Sequence, residues 1–297
     1  MKKFTVYANC QGNILAQTLL ENKEFSSNYE LIPIPAVHTL SDKDIPDVLA
    51  KVKSVDLFIY QPISNQNRPK ELSSDFLAAK TKHHSIVISF PSLYFDGYFP
   101  HLLRFKRYVS ELNLVHDYII AYCCSIGMDE NRTMRLIQSE DLYPEEISVN
   151  LANQSIANLK SYEERFTTDI TISGFIENNY RSKKLFNQFN HPKKTVFKEL
   201  SEKILRMLEV REFSIEENGL SLLDGIITPI YRSTYKNLNL DFDENFDTYS
   251  VFCSVKKQKD IISGFFKFYQ SLDLQDIKRH VVKTKPFIPE IINAITD

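Results

Sequence analysis

The first hundred residues alternate between short apolar segments and amphipathic stretches, and this alternation restricts the fold more than any other feature. Four segments rich in Val, Ile, Tyr and Phe have the length of buried strands, at 4–8, 29–34, 55–60 and 85–90. Helical patterns lie between them, at 13–22, 44–53 and 70–82. Strands that alternate with helices form a parallel sheet with right-handed crossovers. The sequence therefore predicts an α/β fold with a Rossmann-like parallel sheet in the N-terminal third.

The pattern changes after residue 100, where strand-like segments become rare. The stretches 162–189 and 193–209 carry apolar residues at three- and four-residue spacings, as helices do. We therefore expect two parts: an α/β core over residues 1–100 and a mainly helical part over residues 101–297. Because helices of the second part can pack on the sheet, the two parts can also form one continuous domain.

Composition excludes several classes of protein. The 297 residues carry a formal net charge of −2, which gives no reason to expect a nucleic-acid partner. The Gly-rich motifs GxGxxG and GxxxxGK[ST] are absent, which argues against Rossmann dinucleotide binding and P-loop chemistry. The apolar run 118–124 is too short to span a bilayer. The four cysteines (Cys10, Cys123, Cys124 and Cys253) match neither a zinc nor a disulfide pattern, so we expect a cytoplasmic protein without a metal.

The segments that follow three of the predicted strands are unusually polar or aromatic. They comprise residues 9–11, 61–65 and 91–98. Ligands of open α/β sheets collect at the carboxyl ends of the strands, because those ends meet at one edge of the sheet. We therefore expect these three segments to converge and form a cleft.

Cys10 stands between the first strand and the first helix. A helix N-terminus directs its N–H groups and the positive end of its dipole at such a residue, which favours the thiolate. The same N–H groups can stabilise an oxyanion. The alternative interpretation is a small buried side chain, since free cysteines are often buried. The amides of Asn9, Gln11 and Asn13 favour the functional interpretation.

His191 is the second candidate for chemistry. In the motif Asn190-His191-Pro192, proline suits the first position of a helix, so we expect His191 to be an exposed N-cap. Histidine is the usual general base near neutral pH. A set of basic residues brackets this motif: Arg181, Lys183, Lys184, Lys193 and Lys194. These residues form either a solvated helix face or a clamp for a phosphate-bearing ligand.

Four motifs together resemble the WcbI-like family of capsular-polysaccharide biosynthesis proteins, to which acetyltransferase activity is ascribed. They are FTVYANCQGN at 4–13, Gln61-Pro62, PSLYFDGYFP at 91–100 and Asn190-His191-Pro192, in the family's order across about residues 3–210. The resemblance implies a coenzyme-A-binding protein with a core related to SGNH-type esterases and acyltransferases. Cys10 then stands where esterases carry their serine nucleophile, and His191 resembles their late catalytic histidine.

The sequence departs from the esterase pattern at two points. The esterases' Gly-Asp-Ser start is absent, and Gln188 stands where they carry an Asp, three residues before the histidine. The resemblance implies catalytic roles for Cys10, His191 and Gln11. It also implies that coenzyme A contacts residues of the strand ends, the aromatic segment and the basic set: Asn9, Gly12, Asn13, Gln61, Tyr94, Phe95, Tyr98, Arg181, Lys183 and Lys184.

The function expected from the resemblance is O-acetyl transfer from acetyl-coenzyme A to a sugar hydroxyl in capsular or other surface-polysaccharide biosynthesis. The partners are then acetyl-coenzyme A and a saccharide acceptor, and association with a polysaccharide-assembly complex is compatible with this role. Two alternatives remain. One is an SGNH-like carbohydrate esterase or deacetylase that works without coenzyme A. The other is a non-catalytic coenzyme-A- or glycan-binding subunit.

Overall fold

A computed structural model describes residues 1–64, 66, 68–103, 114–211, 215–216, 222–252 and 254–296. The chain divides into two compact units, each built from three segments. Unit 1 comprises Met1–Tyr94, Ala157–Asn178 and Pro192–Leu222. Unit 2 comprises Phe95–Ile156, Asn179–His191 and Leu223–Asp297. The division into domains at residue 100 stays a prediction.

The described strands are β1 (Lys2–Tyr7), β2 (Tyr29–Leu31), β3 (Leu57–Tyr60), β4 (Ile86–Ser89), β5 (Leu102–Leu103), β6 (His116–Asp117), β7 (Phe186–Gln188), β8 (His191–Pro192), β9 (Ile226–Ile227), β10 (Thr248–Val251) and β11 (Ser254–Lys257). The described α-helices are α1 (Gln11–Leu20), α2 (Lys23–Asn28), α3 (Ile45–Ser54), α4 (Ser74–Ala78), α5 (Tyr118–Ser125), α6 (Glu130–Gln138), α7 (Glu145–Phe166), α8 (Ser173–Asn179), α9 (Lys194–Met207), α10 (Arg232–Asn237), α11 (Gln258–Gln270), α12 (Leu274–Thr284) and α13 (Phe287–Thr296).

Unit 1 is built on a four-stranded sheet in the order β2-β1-β3-β4. All three pairings are parallel, with Val6 opposite Ile59 and Ile59 opposite Ile88. These strands coincide with the four segments predicted from the sequence, so the predicted sheet is confirmed. The prediction of a mainly helical later part is also confirmed, because the strands of unit 2 are only two to four residues long.

Both faces of this sheet are covered, as near-continuous apolar strands require. On one face Phe4 packs edge-on against Phe25 of α2, with ring centroids 5.0 Å apart. On the other face Tyr7 and Phe58 pack with apolar residues of α3 and α4, among them Val48. The sheet is therefore rigid at its centre, and the segments that follow its strands start from fixed positions.

Unit 2 surrounds the helix α5, whose eight residues are all buried. Helices α6, α11, α12 and α13 contact it, and strands β9 to β11 form a small antiparallel sheet. The apolar run 118–124 thus forms a buried central helix. None of the helices in the described part of the chain combines the length and apolar character needed to cross a membrane.

Two predictions about the second half of the chain are wrong. The stretch 162–189 is not one helix, because α7 ends at Phe166 and Thr167 takes a left-handed conformation with φ of 46°. A separate helix α8 and strand β7 follow. His191 is not a helix N-cap either, since α9 begins at Lys194 with Lys193 as its N-cap. Pro192 belongs to β8, an extended position that its fixed φ also suits.

Candidate functional site

The strand order places a topological switch point at the centre of unit 1. β2 lies on one side of β1 and β3 on the other. The connection from β1 to β2 and the connection from β2 to β3 therefore run in opposite directions across the sheet. In open parallel sheets the crevice outside the carboxyl ends of such strands is the usual ligand site. Asn9 and Cys10 follow β1, and Gln61 follows β3. The candidate residues therefore stand at the position where the fold favours binding.

A tight turn at Asn9 holds Cys10 at the N-terminus of α1. The Asn9 Oδ1 atom accepts a hydrogen bond from the Gln11 N–H at 2.8 Å, and the Asn9 carbonyl accepts one from the Gly12 N–H at 3.0 Å. Cys10 is the N-cap residue, and its side chain is half-buried. The N–H groups of Gln11 and Gly12 thus donate their hydrogen bonds to Asn9. In this structure these two groups are therefore not available to an oxyanion.

Gly12 allows the helix to start this close to the sheet. A Cβ atom at this position would lie 2.8 Å from the Ala8 Cβ and 3.3 Å from Val6 Cγ1. Such distances are shorter than packed carbon atoms tolerate. The glycine of the Asn-Cys-Gln-Gly turn therefore permits the close approach that places Cys10 beside the end of β1.

A network of side-chain amides joins three strand ends. Gln11 donates from Nε2 to the Leu93 carbonyl at 2.7 Å, and its Oε1 accepts from the Leu93 N–H at 3.0 Å. The same Oε1 accepts from Gln61 Nε2 at 3.0 Å, while Gln61 Oε1 accepts from the Asn9 N–H at 3.1 Å. Gln11 and Gln61 are almost fully buried. The predicted convergence of the three segments is thereby confirmed through Asn9, Gln61 and Leu93.

A pocket of about 320 Å³ opens at these strand ends. It is lined by amide, hydroxyl, apolar and cationic groups: Asn9, Val37, Gln61, Pro62, Ile63, Ser64, Arg68, Ser92 and Tyr162. All of them belong to unit 1. Asn13, also proposed for the site, is exposed on α1, whereas Tyr94 is half-buried and lies outside this lining.

Sequence reasoning missed Arg68, Ser92 and Tyr162 as candidates. Ser92 lies inside the polar segment 91–98 and accepts a hydrogen bond from Asn9 Nδ2 at 3.4 Å. Arg68 lies in the segment that follows β3, close in sequence to the polar residues 61–65, and this position could have marked it as a site candidate. Tyr162 donates to the Pro62 carbonyl at 3.0 Å. Tyr162 and Pro62 are 100 residues apart in the chain, so no local sequence pattern indicates that Tyr162 reaches the pocket.

Two of the three aromatic residues expected to contact coenzyme A, Phe95 and Tyr98, lie in the core of unit 2. Phe95 and Tyr98 are 0 % exposed and their rings meet edge-on at 4.9 Å. The Tyr98 hydroxyl lies within hydrogen-bonding distance of the carbonyls of Tyr180 and Lys183. Burial raises the pKa of Tyr98 far above its usual value. Both rings serve as core in this structure, and their role in binding coenzyme A stays a prediction.

Three members of the basic set, Arg181, Lys183 and Lys184, lie outside the described helices. Arg181 and Lys183 are exposed in the segment after α8, where the Arg181 guanidinium lies 5.1 Å from the ring centre of Tyr180. Lys184 is mostly buried and forms an ion pair with Glu244 at 2.6 Å. Its charge therefore has a partner within unit 2. The phosphate-clamp hypothesis for these residues remains a prediction.

His191 lies in β8 of unit 2 and is half-buried. Gln188, which stands where esterases carry an Asp, is buried and donates from Nε2 to Thr228 Oγ1 at 3.0 Å. The side chain at this position thus has a structural partner of its own. Pairing between Cys10 and His191 in catalysis remains a prediction.

The other cysteines differ from Cys10. Cys123 and Cys124 are buried in α5, and burial raises their thiol pKa values to about 12 and about 11. Cys253 and Asn65, both considered in the sequence, lie outside the described residues. Across the described residues, no three His, Cys, Asp or Glu side chains gather in a position to hold a metal ion.

Comparison with known proteins gives one family and one solved structure. Residues 3–212 match the model of a family described as polysaccharide biosynthesis enzyme WcbI. A solved structure of WcbI, described as a polysaccharide biosynthesis enzyme without a disulfide bond between coenzyme A and one of its cysteines, matches with a TM-score of 0.85. The match covers 98% of each chain at 22% sequence identity. A search of curated proteins found no match.

Proposed function

Because the chain belongs to the WcbI family of polysaccharide biosynthesis enzymes, we propose that it transfers an acetyl group from acetyl-coenzyme A to a sugar hydroxyl. The observation that carries this proposal is the half-buried Cys10 at the N-terminus of α1, beside a polar pocket at the switch point of the sheet. A helix N-terminus favours the thiolate, which is the form that attacks a thioester. The solved WcbI structure is described in terms of coenzyme A and one of its cysteines, which supports coenzyme A as the acyl carrier here.

In the covalent route, Cys10 is the nucleophile. Its thiolate attacks the acetyl carbonyl, the bond to the coenzyme A sulfur breaks, and coenzyme A leaves as its thiolate or, once protonated, as its thiol. The sugar oxygen then attacks the acetyl group on Cys10 while His191 takes the hydroxyl proton. The Cys10 thiolate is restored. One thioester replaces another in the first half, so that step is close to balanced in energy.

In the direct route, His191 takes the proton from the sugar hydroxyl, and the sugar oxygen attacks acetyl-coenzyme A itself. Cys10, Gln11 and Gln61 then position the thioester. The bonds among Gln11, Gln61 and Leu93 favour such a role, because a side chain fixed by three hydrogen bonds holds its neighbours at fixed distances.

The first experiment is thermal unfolding with and without coenzyme A. A ligand at about a hundred times its Kd adds about 2.7 kcal/mol to the free energy of unfolding, and for a chain of this size that raises Tm by about 4–5 °C. A clear rise supports the cofactor. No rise at millimolar coenzyme A would contradict the proposal.

The second experiment separates the two routes. Wild type, Cys10→Ser and His191→Gln are incubated with acetyl-coenzyme A alone, and tryptic peptides are examined for an acetyl adduct. The covalent route predicts an adduct on the Cys10 peptide in wild type and in His191→Gln, and little transfer by Cys10→Ser. Full transfer by Cys10→Ser would exclude that route. Release of acetate from acetylated sugar without coenzyme A would indicate an esterase instead.

A further inference from the structure

The pocket at the strand ends has the size of a single sugar ring rather than of a whole coenzyme A molecule. Its volume of about 320 Å³ lies at the lower end of ligand sites. Asn9, Gln61 and Ser92 give it amide and hydroxyl groups, which suit sugar hydroxyls. Val37 and Ile63 give it apolar surface. Asn9 directly precedes Cys10, so the pocket adjoins the turn that carries the proposed acetyl carrier.

Arg68 is the only charged side chain among the described residues that line the pocket. Its Nη1 donates to the Val37 carbonyl at 3.3 Å, and the guanidinium also lies within hydrogen-bonding reach of the Tyr7 hydroxyl. Tyr7 in turn donates to the Leu72 carbonyl at 2.6 Å. These neutral acceptors hold the half-buried guanidinium in the pocket wall.

None of these contacts neutralises the charge of Arg68. Burial raises the pKa of Tyr7 to about 12, so this phenol is uncharged at neutral pH. Among the described residues, no carboxylate forms an ion pair with Arg68. A partly buried guanidinium presents a planar set of N–H donors that fits a carboxylate or phosphate in two parallel hydrogen bonds. Within the described part of the chain, the positive charge that Arg68 brings to the pocket therefore has no counter-charge.

We propose that this pocket binds the acceptor sugar and selects an acidic one, with a carboxylate or phosphate substituent paired to Arg68. Asn9, Gln61 and Ser92 then bind the ring hydroxyls. This inference rests on the proposed acetyl transfer and adds the substrate class to it. It also assigns Arg68 to the acceptor and not to the phosphates of coenzyme A.

The test is binding of methyl glucuronide, methyl glucoside, glucose 1-phosphate and coenzyme A, each measured by calorimetry. We compare wild type with Arg68→Gln, Arg68→Lys and the control Arg206→Gln, whose guanidinium lies outside the pocket and pairs with Glu202. A hydrogen-bonded charge pair contributes about ten- to a hundredfold in affinity. We expect Arg68→Gln to lose that factor for the glucuronide or the phosphate, Arg68→Lys to lose less, and Arg206→Gln to bind as wild type does. The more strongly affected of the two anions identifies the acidic substituent.

Three outcomes would overturn the inference. Equal affinity of wild type for glucuronide, glucoside and glucose 1-phosphate would mean that the pocket does not select charge. Weaker coenzyme A binding by Arg68→Gln, with sugar binding unchanged, would assign Arg68 to the cofactor. If Arg68→Gln does not fold, the salt dependence of wild type decides. Added salt then weakens binding of an acidic sugar but not of the glucoside, and equal dependence contradicts the inference.

Failure of the proposed function gives a different result. If coenzyme A does not bind but the acidic sugar binds through Arg68, acetyl transfer is wrong and the acidic-sugar site stands. If acetyl transfer occurs with glucoside as readily as with either acidic sugar, the transfer stands and the inference is wrong.

Discussion

At the scale of single residues, the amides after β1 have a structural task that explains their number. Asn9 closes the turn around Cys10, while Gln11 binds Leu93 and Gln61 binds Gln11 and the Asn9 N–H in a buried network. A buried polar group needs its hydrogen-bond partner, since an unsatisfied one costs about 1–3 kcal/mol. The polar turn, which from the sequence alone is interpreted as part of a reactive site, therefore also has a structural role: its hydrogen bonds hold the strand ends together.

This network predicts the effect of Gln11→Glu, which changes one NH₂ group to oxygen. The Leu93 carbonyl loses its donor and faces a negative charge in a buried site. We expect the free energy of unfolding to fall by about 1–3 kcal/mol at neutral pH, measured by urea titration. The control is Gln17→Glu on the exposed face of the same helix, which we expect to change stability by less than about 0.5 kcal/mol. Equal effects of the two substitutions would show that the network contributes no stability.

The cysteines predict a difference in reactivity. Cys10 is half-buried at a helix N-terminus, whereas burial raises the thiol pKa values of Cys123 and Cys124 to about 12 and about 11. The thiolate is the reactive form, so these two stay unreactive at neutral pH. We expect iodoacetamide to label the Cys10 peptide first, as followed by mass spectrometry of tryptic peptides. Urea-unfolded protein, in which these thiols react at similar rates, is the control. Faster labelling of Cys123 than of Cys10 would contradict the assignment.

At the scale of elements, the junction between β1 and α1 depends on Gly12. The motif in the sequence predicts a strand followed by a helix, and both are present. The reason for the glycine is not visible in the sequence, because it is a three-dimensional contact: a Cβ atom at position 12 would lie too close to Ala8.

Glu163 in α7 is a second case in which the sequence hides a structural role, because it resembles an ordinary helix charge. It is buried and accepts hydrogen bonds from the N–H groups of Ile172 and Ser173, at 2.6 and 3.0 Å, at the start of α8.

Gly12→Ala tests this junction against Gly174→Ala. Alanine at position 12 brings two methyl groups to 2.8 Å, and such overpacking costs about 1–3 kcal/mol, only partly offset by the better helix propensity of alanine. Alanine at position 174 meets no atom within 4 Å and stabilises α8 by up to about 1 kcal/mol. We expect urea midpoints to move in opposite directions. A stabilised Gly12→Ala variant would mean that α1 shifts without cost.

At the scale of the whole molecule, the sheet of unit 1 is predictable and the organisation of unit 2 is not. The four strands carry apolar runs that must be buried on both faces, and helical patterns lie between them, so the strands and their parallel pairing follow from local pattern. The strands of unit 2 are too short to show a period, and β8 contains Pro192, a residue type that also suits a helix start. Arg68 and Tyr162 line the pocket only because of the tertiary fold, so no local sequence pattern predicts their position there.

The stability of the whole molecule also depends on pH through a buried group that the sequence does not reveal. Asp117 caps α5 by accepting from the N–H groups of Ile119 and Ile120, and Tyr231 donates its hydroxyl to the same carboxyl group. His101 Nε2 lies 3.8 Å from Asp117 Oδ2. Burial raises the pKa of Asp117 to about 6 and lowers that of His101 well below its usual value.

The sign of the effect follows from these directions. A carboxyl group whose pKa is higher in the folded state stabilises fully below its unfolded pKa, and this contribution is lost as pH rises through about 6. For Asp117 the contribution present at about pH 4.5 and absent at about pH 7.5 amounts to about 2 kcal/mol. His101 acts oppositely, since its neutral form is favoured and protonation of the unfolded chain below about 6.5 destabilises the fold.

Asp117→Asn isolates the carboxyl contribution, because asparagine also caps helices and leaves His101 in place. We expect the stability of Asp117→Asn relative to wild type to rise by about 2 kcal/mol between about pH 4.5 and pH 7.5, measured by urea unfolding at both values. The control is Asp129→Asn at the exposed N-cap of α6, where the Arg132 N–H holds the pKa of the carboxyl group below its usual value. Its relative stability should stay level or fall over the same interval. A level response of Asp117→Asn would mean that Asp117 stays ionised within the fold.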